Sequence, residues 1–105
     1  MSIVTVFRSR LRDGVEKAYA QTAAEMSRLV RTVDGFIDEK LYVAPDGERV
    51  TIVRFRDVAS QRTWSQHPQH LLAQRRGRDE FYAWYDICVA DENYHNVFPI
   101  ENDAI

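Results

Sequence analysis

The chain has 105 residues, the length of one domain with a single modest core. Hydrophobic residues make up 45% and charged residues 29%, the balance of an ordinary globular domain rather than of a disordered or fibrous chain. The formal net charge of -2 argues against nucleic-acid binding, because such proteins need a net basic face to displace counterions from phosphate.

The N-terminal segment lacks the features of an export signal. MSIVTVFRSR reaches an arginine before any apolar stretch long enough for a signal peptide, and no run of the sequence could span a bilayer. The single cysteine, Cys88, has no partner for an internal disulfide and is expected to be a small buried hydrophobe. We therefore expect one domain over residues 1–105 that resides in the cytoplasm and has no membrane partner.

A strand and then a helix are predicted first. The segment IVTVFRSRL, residues 3–11, alternates and is rich in β-branched and aromatic residues, as expected of a strand. Residues 13–33 carry apolar side chains at helical spacing, which predicts an amphipathic helix. Asp13 with Glu16 is typical of a capping box, and Gly35 stands where a left-handed residue is expected to end a helix.

A hairpin and a divided helix follow. Segments 36–44 and 48–56 alternate, and the tripeptide PDG between them has the turn chemistry of a short hairpin. Residues 57–76 favour helix, but Pro68 lacks a backbone N–H and disfavours helical dihedrals at the residue before it. The helix is therefore expected to divide there, with the proline at the first position of the second piece.

The last predicted element completes a known arrangement. FYAWYDICVA, residues 81–90, is apolar on nearly both faces, which predicts a strand covered on both sides. The order β-α-β-β-α-β is that of the α+β ferredoxin-like fold, a four-stranded antiparallel sheet with both helices on one face. The other face would leave an apolar patch exposed, so we expect a homodimer through the sheet face. The core is expected over about 3–98, with a C-terminal tail over 99–105.

Three stretches of this sequence resemble a known family: VFRSRLRDG, PDGERVTIVRF and, above all, WSQHPQHLLAQRRGRDEFY. Together with the order of elements, they make the chain similar to the antibiotic biosynthesis monooxygenase (ABM) family from about residue 4 to residue 98. The resemblance implies a homodimer of the dimeric α/β barrel type, with a cavity between sheet and helices. Activities in the superfamily include cofactor-free oxidation of phenolic polyketides, haem degradation and quinol oxidation.

The resemblance to the haem-degrading members is incomplete at the residues that matter. In those relatives a tryptophan in the second helical region buckles the porphyrin, a histidine about ten residues later ligates iron, and an asparagine of the first strand contacts oxygen. Trp64 matches the tryptophan, but Gln74 stands where the histidine would be. Phe7 and Arg8 occupy the neighbourhood of the asparagine. In the cofactor-free phenol oxidases an asparagine and a tryptophan lie on the third strand.

The resemblance places Thr51 and Phe55 near the third-strand asparagine and tryptophan of the phenol oxidases. A cofactor-free oxygenation also needs a base that makes the substrate anionic, and histidine suits this task because its ordinary pKa lies near neutrality. His70 forms an i, i+4 pair with Gln74, whereas His67 stands at the helix break, where it can act as a cap. His70 is therefore favoured over His67 as the base. Two half-exposed histidines at a helix joint are the alternative.

The other candidate residues are aromatic side chains and one arginine. Trp64, Trp84, Tyr82 and Tyr85 would make a flat-walled pocket for a planar substrate, or would belong to the core and the dimer interface. Arg54 shares a strand face with apolar neighbours and needs an anionic partner. Candidates for that partner are Asp38 or Glu39 across the hairpin, or a substrate oxygen.

These patterns favour a homodimeric monooxygenase that acts on a small aromatic substrate with O2 and without an organic cofactor. No metal is expected, because His-x-x-His supplies two ligands and no sequence signature brings a third such as His95. The alternatives are a haem-binding monooxygenase and a non-catalytic dimeric module that binds a small ligand. The candidate residues are, as catalytic groups, His70, His67, Arg54 and Tyr82, and, as substrate-binding groups, Trp64, Trp84, Phe55 and Gln74.

Overall fold

The structure is a computed structural model that describes residues 1–99. Its elements are β1 (Ile3–Leu11), α1 (Glu16–Val30), β2 (Phe36–Val43), β3 (Arg49–Phe55), α2 (Val58–Ser65), α3 (Pro68–Arg76), a π-helical turn (Gly77–Phe81) and β4 (Tyr82–Asp91). The strands form one antiparallel sheet in the order β2-β3-β1-β4. The predicted ferredoxin-like α+β arrangement is therefore confirmed.

The capping box predicted at the start of α1 is wrong. The helix begins at Glu16 with Val15 as its N-cap, and no side chain accepts a hydrogen bond there. Asp13 lies two residues before the N-cap, so its carboxylate is out of reach of the first free N–H groups. Gly35 is left-handed, with φ +92, but α1 already ends at Val30, so this glycine turns the chain into β2 instead of ending the helix.

The predicted division of the second helix is confirmed. Asp57 caps α2 by accepting a hydrogen bond from Ser60 N, 2.9 Å away. The helix ends at Ser65, and α3 begins with Pro68 at its first position. Two helices therefore meet at this joint, within the WSQHPQH segment.

One face of the sheet, which we call the helix face, carries the core. The pairing register places Ile3, Thr5, Phe7 and Ser9 of β1 on this face, together with Arg49, Thr51, Val53 and Phe55 of β3 and Tyr85, Ile87 and Val89 of β4. Val53 and Phe55 pack against α1 and α2 in one hydrophobic cluster with Val30, Val33 and Trp64. The opposite side of the sheet, which we call the open face, has no helix on it in residues 1–99.

The last strand differs from the prediction. Phe81 belongs to the π-helical turn and is buried, while residues 83–91 are exposed on both faces of the sheet. Cys88 is exposed on the open face, not buried as expected. The physical reason is that β4 is an edge strand, and the hydrophobic cluster packs the helices against β3 instead of against β4.

Two further expectations concern the chain end and membranes. Of the predicted tail over 99–105, all but the first residue lies outside the described residues. No helix within residues 1–99 is long and apolar enough to cross a membrane.

Candidate functional site

The α2–α3 joint brings together four of the predicted site residues: Trp64, His67, His70 and Gln74. The imidazole of His70 stacks on the indole of Trp64, with 4.0 Å between ring centroids and 15° between planes. His67 caps α3, as its position at the break allowed, because its Nδ1 accepts a hydrogen bond from Gln69 N at 3.2 Å. The Gln74 amide donates to the Ser65 carbonyl at 3.3 Å.

The hydrogen bonds of His70 define its neutral tautomer. Its Nδ1 lies 2.9 Å from the carbonyl oxygen of Trp64. A carbonyl only accepts, so Nδ1 carries the proton and Nε2 keeps the lone pair of a base. Burial is the main cause that lowers the pKa of His70 below its ordinary value of 6.5, and the nearby His67 lowers it further. His70 is therefore a neutral imidazole at neutral pH.

The lowered pKa of His70 predicts a pH dependence of stability. Between its folded and unfolded pKa values the unfolded chain binds more protons, so the free energy of unfolding rises with pH in that window. We expect the free energy of unfolding to fall as the pH drops below about 6.5, the pKa of His70 in the unfolded chain. Above that pH, His70 is neutral in both states and should add no further pH dependence. Urea unfolding at a series of pH values measures this slope. His70→Gln should flatten it, whereas the same change at exposed His95 should not.

A second group of residues lies toward the other end of the helix face. We define the aromatic cluster as Phe7, Tyr19, Phe81, Tyr82 and Tyr85. The Tyr82 ring contacts Phe7, Tyr19 and Tyr85, with centroid distances of 5.4, 5.7 and 5.7 Å. Tyr85 is 38% exposed, so the cluster reaches the surface along β4. Flat rings with one accessible edge suit a planar ligand.

The hydroxyl of Tyr82 is a proton donor inside this cluster. It donates to the hydroxyl of Tyr19 over 3.4 Å, a long hydrogen bond. Burial is the main cause that raises the pKa of Tyr82 above its ordinary value, so the phenol keeps its proton across the physiological range. The ring is held in place by Gly77, where a Cβ would stand 2.5 Å from Tyr82 Cε2.

Arg49, which the sequence reasoning missed, borders the same cluster. Its guanidinium carbon lies 5.2 Å from the centroid of the Tyr19 ring, within cation–π range. Its Nε is buried and has no hydrogen-bond partner among the described residues. The alternation of side chains along β3 could have identified it, because Arg49 lies on the same face as Val53 and Phe55, whereas Arg54 lies on the opposite face.

Arg54 lies on the open face and is fully paired. It contacts Asp38, one of the candidate partners, at 3.1 Å, and also Glu92 at 3.0 Å, which was not predicted because Glu92 follows the end of β4. A shallow depression of about 270 Å³ surrounds it, lined by Asp38, Glu39, Lys40, Tyr42, Ile52 and Arg54. With two carboxylates already bound, Arg54 has little capacity left for a substrate anion.

The remaining predicted residues are separated from these groups. Trp84 lies on the open face, 41% exposed, with the Arg8 guanidinium 5.3 Å from its ring. Phe55 is 1% exposed in the core. The structure thus divides the predicted site residues among the helix joint, the aromatic cluster, the core and the open face.

The helix joint does not fit haem. The Trp64 indole is only 8% exposed and is stacked against His70, so it has no free face for a porphyrin. Gln74 stands where the resemblance would place an iron-ligating histidine, and its amide donates to the Ser65 carbonyl. Within residues 1–99, no three His, Cys, Asp or Glu side chains come together as metal ligands, so His67 and His70 lack a third ligand there.

The chain is similar to several known proteins. The family model described as antibiotic biosynthesis monooxygenase matches residues 2–76. The uncharacterised protein YqjZ of Bacillus subtilis (strain 168) is 25% identical over 93 residues, which span 89% of this chain and 82% of YqjZ. Rv0793 from Mycobacterium tuberculosis has the same fold, with a TM-score of 0.82 at 18% identity, covering 92% of this chain and all of that one. SnoaB, a cofactor-independent oxygenase from Streptomyces nogalater, superposes with a TM-score of 0.76 at 16% identity over 93% of this chain and 97% of SnoaB.

Proposed function

The chain belongs to the antibiotic biosynthesis monooxygenase family, and we propose that it is a cofactor-independent monooxygenase that acts on a small planar phenol with O2. The observation that carries the proposal is the aromatic cluster, in which a protonated Tyr82 hydroxyl stands among flat rings that reach the surface. The shared fold with SnoaB, a cofactor-independent oxygenase, supports the same assignment. The aromatic substrate itself supplies the electrons.

The chemistry requires an anionic substrate and a place for its negative charge. A base removes the phenolic or benzylic proton, and the resulting anion passes one electron to O2. The two radicals combine to a peroxide anion, which takes the proton back from the base and becomes a hydroperoxide. Loss of water then leaves one oxygen atom in the product and releases the other as water. The substrate is proposed to extend from the aromatic cluster toward the helix joint, so that Nε2 of the neutral His70 acts as the base while the Tyr82 hydroxyl donates to the substrate oxyanion.

We also propose that the open face is the interface of a homodimer. It presents Tyr42 and Trp84 with the apolar side chains of Val4, Val6 and Ile52. An apolar surface of this kind is stabilised when a second copy covers it. The depression around Arg54 would then be enclosed between the two subunits.

Oxygen consumption tests the proposed function. Purified protein is given a panel of quinols, anthrones and catechols, and O2 uptake is followed with an electrode. With the substrate that is turned over, His70→Gln is expected to lower kcat about 100-fold, near the lower end of what a general base contributes. Tyr82→Phe should cost a similar factor, because it removes an oxyanion donor. His95→Gln, a matched change at an exposed histidine, should leave kcat unchanged.

Two results would contradict the proposal in different ways. Unchanged turnover after His67→Gln and His70→Gln, singly and together, would remove the histidines as the base. Tight binding of one panel compound without any oxygen uptake would make the protein a non-catalytic binding module.

A further inference from the structure

The arginines on and beside the strands are satisfied by partners, with one exception. On the open face, Arg8 binds Glu48 at 2.7 Å and Arg54 binds two carboxylates. Arg12 donates to three backbone carbonyls, those of Arg78 and Asp79 in the π-helical turn and that of Tyr82 at the start of β4. Arg49 forms no salt bridge with any carboxylate of residues 1–99.

The absence of a partner is costly because Arg49 is not a solvated surface residue. It is half-buried at the start of β3, and its Nε has no access to solvent and no acceptor in residues 1–99. Buried donors are nearly always paired, and an unpaired one in a native fold needs an explanation. The other unpaired buried side-chain atom in that range, Thr5 Oγ1, lies on the same helix face.

The neighbours of Arg49 indicate what kind of acceptor is missing. Across the sheet, the pairing places Arg49 beside Ser9, and Ser9 beside Tyr85 of β4, so the guanidinium and the aromatic cluster share one row of the helix face. Tyr19 lies against the guanidinium, and the Tyr82 hydroxyl is within 3.4 Å of the Tyr19 hydroxyl. A cation and two hydroxyls beside flat rings form a site for an anionic oxygen on an aromatic ring.

We propose that Arg49 is the residue that recognises the ligand's negative charge, and that the ligand of the aromatic cluster is a planar aromatic anion, a carboxylate or a phenolate. The proposal rests on the proposed function for the location of the site and adds the charge and the residue that selects it. Arg54, the more obvious arginine in the sequence, is excluded from this role by its two carboxylate partners.

Binding of a matched pair of probes tests this proposal without any turnover. 2-Naphthoate and 2-naphthamide have the same ring and nearly the same shape, but only the first is charged at pH 7. Isothermal titration calorimetry with the full chain should give a lower Kd for the naphthoate. Arg49→Met is expected to weaken naphthoate binding about 10- to 100-fold, the loss typical of a hydrogen bond to a charged group, and to change naphthamide binding less than about 3-fold.

Two further variants test whether a loss of affinity comes from the charge at position 49 or from a general effect of removing an arginine. Arg49→Lys keeps the charge without the planar fork and should restore part of the naphthoate affinity. Arg28→Met removes the same charge from an exposed position of α1 and should change neither Kd. Circular dichroism and gel filtration establish that each variant keeps its fold.

The same binding assay shows which kind of anion is bound and which results would contradict the proposal. 2-Naphthol compared across pH tells whether a phenolate is taken as well as a carboxylate, because naphthol binding should then rise as the phenol ionises. Equal losses for naphthoate and naphthamide in Arg49→Met, or no binding of naphthoate to the unmodified protein at millimolar concentration, would overturn the proposal. Arg49-dependent binding without oxygen uptake would leave it standing and remove the monooxygenase activity alone.

Discussion

Gly35→Ala is expected to lower the free energy of unfolding by about 4 kcal/mol. Part of this loss is the cost of a left-handed backbone, φ +92, in a residue with a Cβ, about 1–2 kcal/mol. The rest is a collision, because the added Cβ would overlap Ser60 Oγ and stand 2.7 Å from Ser60 Cβ. Ser60 cannot yield easily, since its N–H and hydroxyl both donate to Asp57, the N-cap of α2.

A matched glycine isolates the steric part of this effect. Gly14 is also left-handed, with φ +80, but a Cβ there would meet nothing within 4 Å, so Gly14→Ala should show the backbone cost alone. The double variant Gly35→Ala with Ser60→Gly removes the collision and should recover more stability than independent effects would allow. Urea unfolding gives all of these values. If Gly35→Ala and Gly14→Ala lowered the free energy of unfolding equally, the predicted collision with Ser60 of α2 would be wrong.

The order of elements was predictable because its signals are local. Alternation, helical spacing, the PDG turn and Pro68 each act within a few residues, and the structure confirms the strands, the hairpin and the divided helix that they predicted. The capping box at Asp13 failed for a reason that is also local but finer, since the carboxylate lies two residues too early. Boundaries depend on such single hydrogen bonds, which composition does not reveal.

The candidate site was harder to predict because it depends on which partner each residue meets. Arg49 and Arg54 lie on one strand, and the alternation puts them on opposite faces. Only the fold shows that Glu92, from beyond β4, reaches Arg54 while no carboxylate in residues 1–99 reaches Arg49. In the same way, two tryptophans that look alike in the sequence, Trp64 and Trp84, lie in the core and on the open face.

Truncation of the two tryptophans should therefore affect different properties, the stability of the subunit for Trp64 and its association for Trp84. Trp64→Ala is expected to lower the free energy of unfolding by about 3–5 kcal/mol, because it removes the largest side chain of the hydrophobic cluster. It should also raise the pKa of His70 toward 6.5, since the ring that stacks on the imidazole and shields it from water is lost. Proton NMR titration of His70 in this variant measures that change.

Trp84→Ala is the matched control, because it removes the same side chain from the open face. It should leave the unfolding of the single subunit and the pKa of His70 unchanged, while raising the dissociation constant of the proposed homodimer at least 10-fold, as loss of an aromatic anchor does. Sedimentation at several protein concentrations separates the two effects, because only subunit association depends on concentration. If Trp84→Ala destabilised the subunit as much as Trp64→Ala, the open face would belong to the folding core, and the interface would have to lie elsewhere.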